Sequence, residues 1–410
     1  MDGVSASQLM TEGDGPNGHL VVNVILQYDS EVDFEHFASV FTDCYLSDSS
    51  SRLHQRVCVK NKRWVPAVLD VSRHVKRGPC LSNHQCLNDF ISRKMRHGLP
   101  WSRPPWQIRL LVVNGKSIAL FRFHHVLADG VTMLKHLMDH ATSSPLHQIQ
   151  QPTEPTTQSL TMIFSFIIIF IKTLLKLIFL PADKPSALRS NSVNQFAIQF
   201  RRINVHISDI KSFCKSNSPL TVNDVLISAL CESLRNIYPE LPPEIISATW
   251  VGRPGNRWGN DTLGVVYLRL PLRVSRPDQY NVLKEVHMRM KSLKSSPEAW
   301  IVNKSLKLVS YLDSFIPRVM KLIFCKITNK SSISFSSLRG PIHSLKWPRD
   351  VATVSELFVL TPPVQDMGLM VNVLSYSNDL FIGLTSNSIT AQLLSELMLS
   401  FEQALENILK

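Results

Sequence analysis

The sequence predicts a mixed α/β protein built as two halves. Three observations carry that reading. Strand-like and helix-like patterns alternate along 410 residues, a length that supports a large core. Two polar stretches, 141–160 (rich in Ser, Thr, Pro and Gln) and 181–195, interrupt that alternation near the middle of the chain and read as linkers. Between them lies the most apolar segment, 162–180, with only two charged residues, Lys172 and Lys176. The expected organisation is therefore residues 1–150, a linker with its apolar segment over 151–195, and residues 196–410. An apolar content of 44% against 19% charge places the chain with folded proteins.

The elements follow in order. Residues 20–28 alternate as a strand, and Phe34, Phe37, Val40 and Phe41 share one face of a helix over 34–45. The stretch 50–106 reads as polar and irregular. Strands at 107–113 and 117–124 come next, then a helical pattern from Val131 to Met138. The second half opens with a strand at 196–205 and a strong helix from Val222 to Tyr238. Strands at 245–252 and 264–272, helices near 279–294 and 304–327, and strands at 331–337, 353–360, 368–376 and 380–386 continue it. An amphipathic helix from Ala391 to Leu409 closes the chain.

The chemistry gathers at the end of the strand 117–124, in His124-His125-Val126-Leu127-Ala128-Asp129-Gly130. Successive strand side chains face opposite ways, so one histidine of the pair can serve a given cleft. Neutral imidazole is the side chain best matched to taking a proton near pH 7. Asp129 is placed to fix the loop, and Gly130 is expected to supply a turn with positive φ. A bare His-His is more often just a polar strand end. Its combination with Asp-Gly after a buried strand favours a catalytic loop.

A formal net charge of +12, dense from Lys284 to Lys330, is compatible with an anionic membrane surface, cofactor phosphates or nucleic acid. For any one of these residues a solvated helix face is the plainer explanation. No zinc-finger, RNA-recognition or basic-zipper pattern occurs, so no nucleic-acid partner is expected. Seven scattered cysteines without Cys-x-x-Cys fit a reduced, cytosolic environment, and no metal site is expected. The N-terminus lacks a basic region followed by an apolar core, so no secretory signal is expected, and the sequons at Asn260, Asn303 and Asn329 are expected to be unused.

Three further stretches join the histidine motif: Arg103-Pro104-Pro105-Trp106, Thr221-Val222-Asn223-Asp224-Val225, and Gly252-Arg253-Pro254-Gly255-Asn256-Arg257-Trp258-Gly259-Asn260. Together with Arg339-Gly340-Pro341, Met370 to Tyr376 and Leu380 to Leu384, they make the chain resemble the wax ester synthases and acyl-CoA:diacylglycerol acyltransferases of the bacterial and plant type. The resemblance runs from about residue 20 to the C-terminus. The histidine motif alone is shared with chloramphenicol acetyltransferases and peptide-synthetase condensation domains. Two departures stand out. The family's Pro-Leu-Trp is Pro104-Pro105-Trp106 here, and its Asn-Val-Pro-Gly-Pro is only weakly similar to Ser337-Leu338-Arg339-Gly340-Pro341. The Asp-Phe-Gly-Trp-Gly signature of the plant alcohol acyltransferases is absent.

The resemblance implies two chloramphenicol-acetyltransferase-like halves with mixed sheets and an active site at their interface. It implies transfer of a fatty acyl group from acyl-CoA to a long-chain alcohol or diacylglycerol, with His125 as base and no bound cofactor. His124, Asp129 and Gly130 would shape the loop, with Asp129 paired to an arginine. Asn223, Asp224, Pro105 and Trp106 would meet substrate. Read without the resemblance, Thr221 and Asp224 are only a good helix start. The alternatives are an acyltransferase of the same fold acting on a small polar acceptor, and a lipid-binding protein without catalysis.

The apolar segment 162–180 is long enough to span a bilayer. However, Ser165, Lys172 and Lys176 fall on one helical face, which suits a helix lying in the membrane interface with its lysines reaching the headgroups. A single crossing would also put the two halves of one active site on opposite sides. Attachment without a simple crossing is therefore expected, on the cytosolic side of the endoplasmic reticulum; a helix packed inside the protein is the competing reading.

Overall fold

The computed structural model describes residues 20–141, 178–189, 196–252, 263–273, 279–295, 329–364 and 366–410, with single helical positions at 171, 172, 175, 319, 322, 325 and 326. The loop 253–262, most of the apolar segment 162–180 and of the helix expected near 304–327, and the sequons at Asn260 and Asn303 lie outside the described residues.

The first half runs β1 (Val21–Tyr28), α1 (Phe34–Tyr45), β2 (Gln55–Cys58), β3 (Arg63–Pro66), α2 (Val71–His74), β4 (Val75–Leu81), α3 (His84–Met95), β5 (Trp106–Val113), β6 (Lys116–His124) and α4 (Gly130–Met138). The α1 helix forms where the pattern predicts it. Asp33 caps it by accepting from His36 N at 2.8 Å, and it buries Phe37, Phe41, Cys44 and Tyr45. The stretch 50–106 is not irregular. It holds β2, β3, β4 and two helices, among them α3, which buries Leu87, Ile91 and Met95. That stripe of three apolar residues at a spacing of four is thin, and it is hidden among polar neighbours.

The second half runs β7 (Ala197–His206), α5 (Ile207–Ser216), α6 (Val222–Ile237), β8 (Glu244–Gly252), β9 (Leu263–Pro271), α7 (Gln279–Ser295), β10 (Ile333–Arg339), β11 (Val354–Leu360), β12 (Leu369–Tyr376), β13 (Asp379–Ser386) and α8 (Ala391–Leu409). Among the described residues its sheet has the order β7-β13-β12-β10-β8-β9, with β10 parallel to both β12 and β8. The helices α6 and α8 cover one face of it, on a core of Ile245, Leu268, Phe335, Val371 and Ile382. By strand alternation Trp250, Leu338 and Phe381 point to the other face.

That other face meets the first half, and β11 closes the joint. Its residues lie within the second half in sequence, between β10 and β12, yet it pairs antiparallel with β1 as the edge of the first sheet, order β11-β1-β6-β5-β4, with Ile25 opposite Phe358. Thus residues 354–360 of the expected C-terminal half build the N-terminal sheet. Phe358 also meets Phe381 edge-on at 5.2 Å and Phe200 at 4.8 Å. Gly383 is needed here, because a Cβ would lie 2.5 Å from the Leu360 side chain. One apolar cluster accordingly joins residues of both halves, including Ile25, Phe121, Phe358, Leu374 and Phe381.

A buried polar relay reinforces the joint. Trp347 Nε1 donates to Tyr45 Oη at 2.6 Å, and Tyr45 Oη donates to the Leu137 carbonyl at 2.5 Å. Burial pushes the Tyr45 phenol well above its usual range, so it stays a neutral donor. Tyr45→Phe should cost about 1–3 kcal/mol for each buried partner left unsatisfied. Urea unfolding measures it, and an unchanged midpoint would show that the relay contributes nothing.

Candidate active site

The histidine loop starts from a strand with a strict division of faces. Arg122 and His124 point one way and Phe121 and Phe123 the other, and the strand ends at His124. Arg122 is buried; it donates to Asn23 Oδ1 at 3.1 Å and to the carbonyls of Lys94 and His97 at 2.6 and 2.8 Å, closing the end of α3. Burial lowers its pKa to about 10, which still leaves it charged.

His124 is also buried, with its ring edge-on to Trp101 at 4.8 Å. Its Nδ1 accepts from Val126 N at 3.0 Å, so the neutral ring carries its proton on Nε2. His124 N donates to the Pro105 carbonyl at 2.9 Å, so Pro105 extends the ladder beneath the motif. Trp106 lies in the core of the first half. It is 1% exposed, donates from Nε1 to the Leu53 carbonyl at 2.9 Å, and packs on His74 and Phe41.

His125 opens the turn that follows β6 and reaches the seam. Its ring lies nearly parallel to that of Trp250, with centroids 6.3 Å apart, and Trp250 comes from β8 of the second half. The side chain is set deep among protein atoms yet keeps some contact with solvent. Burial, with a smaller contribution from His124, lowers its pKa to about 4, so it is neutral at pH 7. His74 is held down to about 4 as well, but its Nδ1 donates to the Trp106 carbonyl at 2.7 Å inside the first half. Position, rather than titration, singles out His125.

Asp129 caps α4 by accepting from Thr132 N at 2.7 Å. Gly130 corrects one expectation. It does not adopt a positive φ, but is the first residue of α4. A Cβ there would sit 3.4 Å from Leu338 Cδ1 of β10, an ordinary van der Waals contact, so the helix start lies against the second half.

Asn223 and Asp224 begin α6. Asp224 Oδ2 accepts from Thr221 N at 2.9 Å, which completes a capping box, and it meets His287 Nδ1 of α7 at 2.8 Å. These bonds are all within the second half. Asn223 is half-buried and makes no side-chain hydrogen bond among the described residues. The structure therefore unites His125, Gly130, Trp250 and Leu338 at the seam, and holds Trp106 and Asp224 in the interiors of the two halves. Of the basic run, Arg289 is engaged by Glu244 at 2.6 Å and Glu285 at 2.7 Å. Trp250 and His287 belong to no motif. Trp250 precedes the Gly-Arg-Pro-Gly stretch and was legible only as a strand residue, and His287 gave no signal beyond its helix.

Two sheets tied by an exchanged strand, with a histidine loop at their seam, define the chloramphenicol-acetyltransferase and condensation-domain class of fold. A family model described as the wax ester synthase/diacylglycerol acyltransferase catalytic domain matches residues 27–225, and one described as the WS/DGAT C-terminal domain matches residues 258–409. The chain belongs to this acyltransferase family. It is 23% identical over 350 residues to a probable diacylglycerol O-acyltransferase of Mycobacterium tuberculosis, covering 78% of this chain and 74% of the relative. It is 22% identical to wax ester synthase/diacylglycerol acyltransferase 3 of Arabidopsis thaliana, over 78% of this chain and 76% of that one. Its fold matches the wax ester synthase/diacylglycerol acyltransferase from Marinobacter aquaeolei VT8 with a TM-score of 0.67 over 98% of both chains, at 18% identity.

Two outcomes follow from this geometry. Trp250→Ala should admit water and raise the His125 pKa from about 4 toward its ordinary 6.5, whereas Trp250→Phe should hold it low. Histidine-labelled NMR titration reads this directly, and an unmoved pKa in the alanine variant would mean that Trp250 does not shield the ring. Asp129→Ala should cost about 0.5–2 kcal/mol of stability, and Asp129→Asn, which keeps a capping oxygen, less. Equal unfolding midpoints for the two variants would show that the cap is not what Asp129 contributes.

Proposed function

We propose that this chain transfers a fatty acyl group from acyl-CoA to the hydroxyl of a long-chain alcohol, of diacylglycerol, or of both, with His125 as general base. The observation that carries the reading is the placement of His125: a neutral imidazole on a capped loop, deep in the seam, facing a residue of the other half. The names of the relatives, a probable diacylglycerol O-acyltransferase and a wax ester synthase/diacylglycerol acyltransferase, support the substrate classes.

The step balances as a direct transfer. His125 takes the hydroxyl proton as the oxygen attacks the thioester carbonyl, the C–S bond breaks, and the departing CoA thiolate receives a proton from the imidazolium. One cleft holding both substrates gains from proximity and needs no acyl-enzyme. Both acceptors partition into lipid, so we place the protein at a membrane, through the segment 162–180, on the cytosolic side of the endoplasmic reticulum. Asn223 is proposed as a donor to the reacting carbonyl, and Asp129 as the residue that holds the loop.

Expression in yeast lacking neutral-lipid synthesis, with and without added long-chain alcohol, tests both activity and acceptor. Wax esters or triacylglycerol should accumulate. His125→Ala should lower the rate about a hundred- to ten-thousand-fold at an unchanged protein level. A His125→Ala variant that retains full activity would sink the base assignment.

A further inference from the structure

Large apolar side chains left in water one at a time are ordinary; a cluster of them marks a contact surface. Ten are exposed among the described residues, and five of these come from two short helical stretches. Ile171, Leu175 and Phe179, spaced by four, share a helix face and are 50%, 47% and 72% exposed. Val319 and Leu322, spaced by three, are 48% and 72% exposed. The stretches lie side by side, since Lys326 Nζ sits 6.0 Å from the centre of the Phe179 ring. No helix among the described residues is long and apolar enough to cross a membrane.

The patch is anchored firmly. Lys330 Nζ donates to the carbonyls of Ile178 and Leu180 at 3.3 and 2.6 Å, closing the end of the first stretch. Asp183 then ties the chain to the sheet. Its Oδ2 accepts from Ile246 N at 2.8 Å, Ser332 N at 3.1 Å and Ser332 Oγ at 2.7 Å. Arg189, 8% exposed, donates to the carbonyls of Ser331 and Asn329. So the apolar face is held at the start of β8 and β10, the strands whose other ends carry Trp250 and Leu338 to the histidine loop.

The surroundings are basic. Lys172 and Lys326 are exposed beside the apolar face. Between residues 301 and 330 the sequence has six lysines and arginines and a single aspartate. Apolar side chains rimmed by lysines complement an anionic bilayer surface, with acyl chains beneath and phosphates above.

We propose that these two stretches form a docking foot that seats the protein on an anionic lipid surface, with Ile171, Leu175, Phe179, Val319 and Leu322 in the interface and Lys172 and Lys326 at the headgroups. The proposal deepens the reading of the chain as a lipid acyltransferase, and rests on it for its purpose but not for its test. It replaces a single apolar segment by two that are distant in sequence.

The test is flotation of the full-length protein with vesicles of phosphatidylcholine, alone or mixed with phosphatidylserine. Wild type should float with the mixed vesicles and less with phosphatidylcholine alone. Phe179→Ser with Leu322→Ser should lower binding to the mixed vesicles about tenfold or more, and Lys172→Glu with Lys326→Glu should remove the preference for phosphatidylserine. All four side chains are exposed, so melting curves should be unchanged. Acyl transfer to a detergent-dispersed acceptor, measured in parallel, reports separately on the proposed activity. Wild type that fails to float, or serine variants that float like wild type, would overturn the foot. So would loss of a dimer in the serine variants on size exclusion, which would make a second copy the occupant.

Discussion

The pairing of β11 with β1 is the constraint on which the rest depends. The two sheets present apolar faces that must be covered, and each finds its cover in the other. A chain of two consecutive halves could satisfy this by simple stacking and would then be free to slide. Returning one strand across the seam removes that freedom. The backbone ladder from Asn23 opposite Leu360 to Gln27 opposite Glu356 fixes the register of one half against the other. Phe358, wedged between Phe200 and Phe381, and Leu360, fitted over Gly383, then lock the depth of the contact.

The site inherits its precision from that lock. His125 follows directly on β6, the neighbour of β1, and Trp250 belongs to β8 of the other sheet. Their approach depends on a seam that does not slip. The same seam dries the imidazole and lowers its pKa to about 4. In its proposed role as base, a histidine kept neutral in this way is ready at any physiological pH, though intrinsically weaker than a free histidine. Lost base strength is offset by exclusion of water and by fixed geometry, and both require close packing of the halves. Gly130 is where that closeness is visible, for a Cβ there would be in van der Waals contact with Leu338.

Much of this was legible in the sequence because burial writes itself as period. The strands of both sheets except β4, and the helices α1, α4, α6 and α8, were readable from apolar spacing, and the histidine loop from its residue types. The stretch 50–106 was not, because β2, β3 and β4 lie at or near edges where few residues are buried, and α3 shows the core only three side chains. The exchange of β11 was illegible for a different reason. A strand's pattern states that one face is buried, and is silent on which sheet buries it. For the same reason Trp106 suggested a substrate contact by its motif, while its burial against His74 and Phe41 makes it part of the core. Asp224 looked like both a cap and a site residue. Its bonds to Thr221 and His287 give it the cap, in a half whose helices face away from the seam.

In the proposed reaction the parallel strands β8 and β10 set the distance over which a lipid-borne acceptor would act. Ile246 and Ser332 are clasped together by Asp183 at one end, beside the apolar foot. Trp250 and Leu338 reach the histidine loop at the other. At about 3.3 Å per residue these runs of four and six residues measure roughly 13 and 20 Å. A hydroxyl confined to the plane of the headgroups would fall short of His125 by that length. In the proposed reaction an acceptor would have to leave the surface and travel along the seam, and a long-chain molecule, able to keep its tail toward the bilayer as its hydroxyl advances, would have an advantage over a small polar alcohol.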